Sequence, residues 1–177
     1  MTDLSDKKEL IEKARSLGKE YMLKYGGCAP ATLMAVAHTL NLKVSDELYK
    51  AIQGFSGQAE VCGNVAGGIA AIGLRYGVVQ EDLVKKPELG FSSFAKIIDA
   101  SNLLREKFTK EYGGCLCDEV QTKLYGRCNI FPQTSEGLAA FMQRDPKEIE
   151  VFSNKCSSVT ENAAGWTISA ILEMDEK

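Results

Sequence analysis

Six cysteines stand in this chain of 177 residues, and four of them occupy positions marked by glycine or by helical phase: Cys28, Cys62, Cys117 and Cys156. Their separations of 34, 55 and 39 residues exclude a local zinc knuckle, which needs closely spaced pairs. A centre built from all four requires a fold that carries separate helices to one point. Four thiolates are the usual ligand set of iron–sulfur clusters. Gly26-Gly27-Cys28-Ala29 opens one helical pattern and Cys62-Gly63-Asn64-Val65-Ala66-Gly67-Gly68 opens another. Backbone N–H groups and the positive dipole end at such starts are expected to lower the thiolate pKa and to suit an anionic cluster. Phase adds direction. Cys62, Val65, Ile69 and Ile72 share one stripe, Cys117, Val120 and Leu124 share another, and Cys156 lies between Phe152 and Val159 on a third.

Other chemistry has weaker support. Free cysteine is among the most buried residue types, so inward phase also fits thiols that only pack. Two of the four could instead attack and resolve as a metal-free thiol–disulfide pair. Cys115 and Cys117 form a C-x-C pair with Cys128 eleven residues on, but zinc spacing is absent. Cys115 and Cys128 are therefore read as bystanders or a secondary thiol pair. Gly63 and Gly67 are not a phosphate loop, because no strand precedes them and no Lys-Ser/Thr follows. The single histidine, His38, makes Cys–His catalysis a poor fit, and Trp166 reads as core.

The elements that position these thiols are helical. Leu10, Ala14, Leu17 and Tyr21 keep a 3.6-residue period behind Ser5 and Asp6. The pattern predicts further helices from Cys28 to Asn41, from the cap Ser45 to Gln53, and from Val65 to Tyr76. Others are expected from Phe94 to near Gly113, around Cys117 to Leu124, and from Gly137 to Arg144 behind Thr134-Ser135. The longest opens at Pro146. Strand signals are confined to Gly77-Val78-Val79 and Asn129-Ile130-Phe131, and Lys85-Lys86-Pro87 reads as a loop. The expectation is an all-α, single-domain bundle of about six to eight helices over 1–177.

Composition narrows the class. With 45% hydrophobic and 25% charged residues the chain can build an ordinary core. A net charge of −3 gives no footprint for nucleic acid, and no basic run anchors the chain to an acidic membrane. The charged start Met1-Thr2-Asp3-Leu4-Ser5-Asp6 lacks a signal-peptide core, and Val65 to Leu74 is too short to span a bilayer. A cytoplasmic location is expected. There, six cysteines point to metal or redox chemistry more than to structural disulfides.

Taken in order, these elements resemble the C_GCAxxG_C_C family of redox-active proteins. Gly27-Cys28-Ala29 is similar to its first element and Cys62 through Gly68 to its second. Phe108 through Gly113-Gly114 to Cys117-Asp118-Glu119 is similar to its third, and Cys156 to its last cysteine. The likeness runs from about Lys24 to Ile171. It implies redox activity, and the joining of related domains to cytochrome segments implies electron transfer. The chain departs from the family in two respects. Asn64 stands where the motif usually has alanine, which could add a hydrogen bond near Cys62. No C-x-x-C-H site for a c-type haem is present. The resulting expectation is a redox protein whose Cys28, Cys62, Cys117 and Cys156 hold an iron–sulfur cluster, 2Fe–2S in type, as an oxidoreductase or the electron-transfer partner of one. Homodimer formation is left open. The alternatives are a metal-free thiol–disulfide oxidoreductase and a structural or interaction domain with buried cysteines.

Overall fold

Helix start and stop signals decide where each element of the computed structural model lies; it describes residues 4–57, 60–132 and 134–177. In chain order they are α1 (Leu4–Tyr25), α2 (Cys28–Leu40), α3 (Asp46–Gln53), α4 (Gly63–Tyr76), α5 (Gln80–Lys85), α6 (Glu88–Tyr112), α7 (Cys117–Tyr125), α8 (Ser135–Met142) and α9 (Pro146–Met174). Ser45 Oγ accepts the Leu48 N–H at 3.2 Å, and Thr134 Oγ1 accepts the Gly137 N–H at 3.0 Å. The Asp145 carboxylate accepts the Lys147 N–H at 2.9 Å, and Pro146 takes a first-turn position where its missing N–H costs nothing. Gly26 and Gly27 have φ of 70° and 73°, so the chain turns from α1 into α2 within two residues that only glycine fills easily.

The long α9 packs on α1, α2, α4 and α6, and α2 and α4 lie against each other. The centre of this arrangement holds Leu33, Val36, Ile72, Leu104, Phe108, Ile168 and Ile171, all without solvent exposure. Trp166 meets the Phe108 ring edge-on at 5.4 Å, so its core reading holds. His38 is exposed and shares a 2.8 Å hydrogen bond with the Tyr21 hydroxyl, which leaves it at the surface.

The all-α expectation holds, with two local differences. Gln80–Lys85 forms a helix of six residues, too short and too exposed to show a period. In addition, α6 begins at Glu88 rather than at Phe94, and Phe94 and Ile98 are exposed; only Ala100, Leu104, Phe108 and Tyr112 of that helix are buried. Neither Gly77–Val79 nor Asn129–Phe131 is a strand. The one extended pairing among the described residues is an isolated antiparallel bridge between Val61 and Leu116. No helix among the described residues is long and apolar enough to cross a membrane.

The α2–α4 crossing depends on bare backbone. A Cβ on Gly67 would collide with the Ala29 carbonyl and come 3.1 Å from Thr32 Cβ. Gly73, on the same helix, has nothing within 4 Å of such an atom. The expected outcome is therefore opposite for two identical substitutions. Gly67→Ala should lower unfolding stability by about 1–3 kcal/mol, as overpacking does. Gly73→Ala should raise it by about 0.4–1 kcal/mol through the unfolded chain and helix propensity. Urea unfolding followed by circular dichroism distinguishes them, and equal effects would contradict the packing described.

Candidate redox centre

Three of the four cysteines stand at helix starts. Cys28 is the first residue of α2, Cys62 caps α4 and Cys117 is the first residue of α7; Cys156 projects from the body of α9. The Val61–Leu116 bridge sets two of them side by side. The Cys62 N–H donates to the Cys115 carbonyl at 2.8 Å, and the Cys117 N–H donates to the Glu60 carbonyl at 2.7 Å. Cys28 is brought in by the α2–α4 crossing, where a Cβ on Gly63 would overlap its sulfur.

All four line a single cavity of about 100 Å³, room for several waters. Its remaining wall is mainly apolar, with Val120, Leu124, Phe131, Phe152 and Val159 prominent, and no charged side chain lines it among the described residues. The four cysteines singled out in the sequence thus share one cavity wall. Cys115 and Cys128 lie outside the cavity. The Cys115 thiol turns to the Arg105 carbonyl at 3.8 Å, while Cys128 is exposed beside Asn129. Every described cysteine is a free thiol.

Each cavity sulfur has its own polar side chain. Asn64 Nδ2 stands 3.8 Å from Cys62 Sγ, the added hydrogen bond expected from this residue. Its carbonyl oxygen accepts the Thr32 hydroxyl at 2.8 Å, which turns the amide nitrogen toward the sulfur. Gln121 Nε2 donates to Cys117 Sγ at 3.1 Å, and its Oε1 accepts the Ile130 N–H at 2.6 Å. The Tyr125 hydroxyl donates to the Phe152 carbonyl at 3.1 Å and lies 3.6 Å from Cys156 Sγ, leaving the thiol as donor in that pair. Ser56, whose Oγ accepts the Ala29 N–H at 3.4 Å, stands beside Cys28 and favours its thiolate. Sequence reasoning missed Ser56, Gln121 and Tyr125. Gln121 carried a usable signal, since it lies four residues after Cys117 on one helical face. Tyr125 and Cys156 meet only in three dimensions.

Helix starts were expected to lower the thiol pKa values, and the balance runs the other way. Burial pushes the thiols of Cys28, Cys62 and Cys117 up, and that of Cys156 up to about 12. The N-terminal effect exists: the Ala29 N–H favours the Cys28 thiolate, and those of Asn64 and Val65 favour the Cys62 thiolate, while Ser56 and the Gly57 N–H add to it at Cys28 from the loop after α3. Desolvation in an uncharged cavity outweighs it, and a neighbouring thiolate raises Cys28, Cys62 and Cys156 further. Among the described residues, no three His, Cys, Asp or Glu side chains stand close enough together to grip a single metal ion. The four thiols surround a space rather than a point.

Fold and site together define an all-helical protein built around one four-cysteine cavity. The description of the family named putative redox-active protein (C_GCAxxG_C_C) matches residues 27–170, and the chain belongs to that family. No curated protein and no solved structure matches the chain.

Thiols buried and held neutral react slowly, because the thiolate is the nucleophile. In metal-free, reduced protein, exposed Cys128 should be alkylated by iodoacetamide first and Cys62, 4% exposed, among the last. Raising the pH from 7 toward 10 should speed modification of the cavity thiols, since the thiolate fraction grows as pH approaches a raised pKa. Peptide mass spectrometry over time measures the order. Modification of Cys62 or Cys156 at the rate of Cys128 at pH 7 would contradict the cavity described.

Proposed function

We propose that Cys28, Cys62, Cys117 and Cys156 hold an iron–sulfur cluster, 2Fe–2S in type, and that the protein exchanges single electrons with a partner oxidoreductase. The observation that carries this reading is the uncharged cavity with four thiols on its wall and a polar side chain at each sulfur. The volume of about 100 Å³ leaves room for a small inorganic core.

The cluster, when bound, supplies a site that takes up and releases one electron. The protein does the rest. Its four thiols must lose their protons to become ligands, and the raised pKa values mean that only a strong positive partner inside the cavity draws them off near neutral pH. Asn64 and Gln121 offer N–H groups to sulfur. As acceptors of negative charge the sulfurs would draw these contacts tighter and raise the reduction potential. Tyr125 can turn its hydroxyl from the Phe152 carbonyl to the Cys156 sulfur once that sulfur is a thiolate. Phe131, Phe152 and Val159 give the centre apolar walls.

The raised thiol pKa values weigh against thiol–disulfide exchange, the main alternative. An attacking thiol works best with a pKa near ambient pH, usually set by a neighbouring cation, and no cation lines this cavity among the described residues.

Anaerobic reconstitution with iron and sulfide tests the reading. Wild type should gain visible absorption with matching iron and sulfide content, and Cys128→Ser should gain the same. Cys62→Ser should lose most of that signal while its folding stability changes by only about 1 kcal/mol, the ordinary cost of a point substitution. A folded wild type that stays colourless would overturn the proposal. A full signal in Cys62→Ser would remove that residue from the ligand set.

A further inference from the structure

Beside the cysteine cavity, and sharing Tyr125 and Phe152 with it, lies an open groove of about 410 Å³. Four cations line it, Arg127, Arg144, Lys147 and Lys155, against one carboxylate, Glu148. The chain as a whole carries a net charge of −3, so this concentration of positive charge runs against the overall balance. Arg127, Arg144 and Lys147 are exposed and have no ion-pair partner among the described residues. The guanidinium of Arg144 lies 5.3 Å from the Phe141 ring centroid, which holds it at the rim. Lys155 donates to the Leu124 carbonyl at 2.6 Å and sits 4.7 Å from the centroid of the Tyr125 ring.

Apolar surface accompanies the charge. Val151, in the lining, is 54% exposed, and Met142, next in sequence to Phe141, is 63% exposed. A charged rim around exposed apolar side chains is the anatomy of a protein interface rather than of a pocket for a small anion. The separation from the candidate centre is thin. The Tyr125 ring touches the groove, and its hydroxyl lies 3.6 Å from Cys156 Sγ.

Resting on the electron-transfer reading above, we propose that this groove docks the acidic face of a one-electron carrier protein and exchanges the electron across Tyr125 and Phe152. The exchange makes and breaks no covalent bond: the reduced carrier loses one electron and the centre beyond the groove gains it. Complementary charge serves mainly to speed encounter and to reject carriers of the wrong sign.

The test uses the full chain isolated anaerobically, a plant-type ferredoxin as the acidic probe and a basic c-type cytochrome as the opposite one. Zero-length carbodiimide coupling, which joins lysine amines to carboxylates, should link the ferredoxin to Lys147 and Lys155, as read by peptide mass spectrometry. Stopped-flow electron exchange with ferredoxin should slow steeply from 20 mM to 500 mM salt. The variant R144E/K147E should slow it about ten-fold or more at low salt while keeping the wild-type visible spectrum and circular dichroism. R127E, tested alone, should act in the same direction. Exchange with the cytochrome should not slow in either variant. Cross-links scattered over other faces, or exchange with ferredoxin indifferent to salt and to both variants, would overturn the proposal. So would micromolar binding of inorganic pyrophosphate without ferredoxin coupling, or a dimer that R144E/K147E splits. Because coupling is scored without reference to colour, links at Lys147 and Lys155 in a colourless protein would support the docking surface while sinking the iron–sulfur reading.

Discussion

A Cβ on Gly63 would overlap the Cys28 sulfur and lie 2.8 Å from the Phe55 carbonyl, and one on Gly67 would overlap the Ala29 carbonyl. The α2–α4 crossing exists only with bare backbone on the α4 side. That close approach brings a thiol at the first residue of α2 beside a thiol at the cap of α4. The Val61–Leu116 bridge then fixes the start of α7 next to the start of α4, and α9, packed on both α2 and α4, delivers Cys156 from the remaining side. One packing constraint and one backbone pairing thus position three helix starts and one helix flank around a common space.

What surrounds the thiols follows from that geometry. Helix starts present N–H groups, which favour negative sulfur, yet the same convergence sets the sulfurs in a largely apolar, uncharged cavity, which disfavours it. Desolvation is the larger effect, so the thiols rest neutral. Such a cavity suits a ligand that brings its own positive charge better than it suits a free nucleophile. The fixed amides of Asn64 and Gln121 would contribute most when the sulfurs are charged, since hydrogen bonds to an ionised acceptor are roughly twice as strong as neutral ones.

The sequence made the helices and the inward phase of the thiols readable because both rest on local rules. Ser45, Thr134 and Pro146 announce helix starts, and Gly113, at φ 90°, ends α6 where a left-handed cap is needed. The stripes through Cys62 and Cys117 pointed correctly at what they face. The six residues of α5 span fewer than two turns and bury nothing, so no period marks them. Phe91 and Phe94 look like core residues in a helical pattern yet are exposed, and the first half of α6 buries none of its side chains fully. The Val61–Leu116 bridge and the Tyr125–Cys156 contact join segments 55 and 31 residues apart, and no local pattern encodes such meetings. The thiol pKa values failed for a related reason. A helix start is visible in sequence, whereas the uncharged, apolar wall around it appears only after folding.

The central claim is that the four thiols share one inorganic centre. The most direct measurement is a crystal structure of anaerobically purified protein with anomalous scattering recorded on both sides of the iron edge. The account predicts an iron peak inside the cavity, bonded to Cys28, Cys62, Cys117 and Cys156 and to no sulfur of Cys115 or Cys128. Iron-free density with the four cysteines as separate thiols, or paired as disulfides, would contradict it.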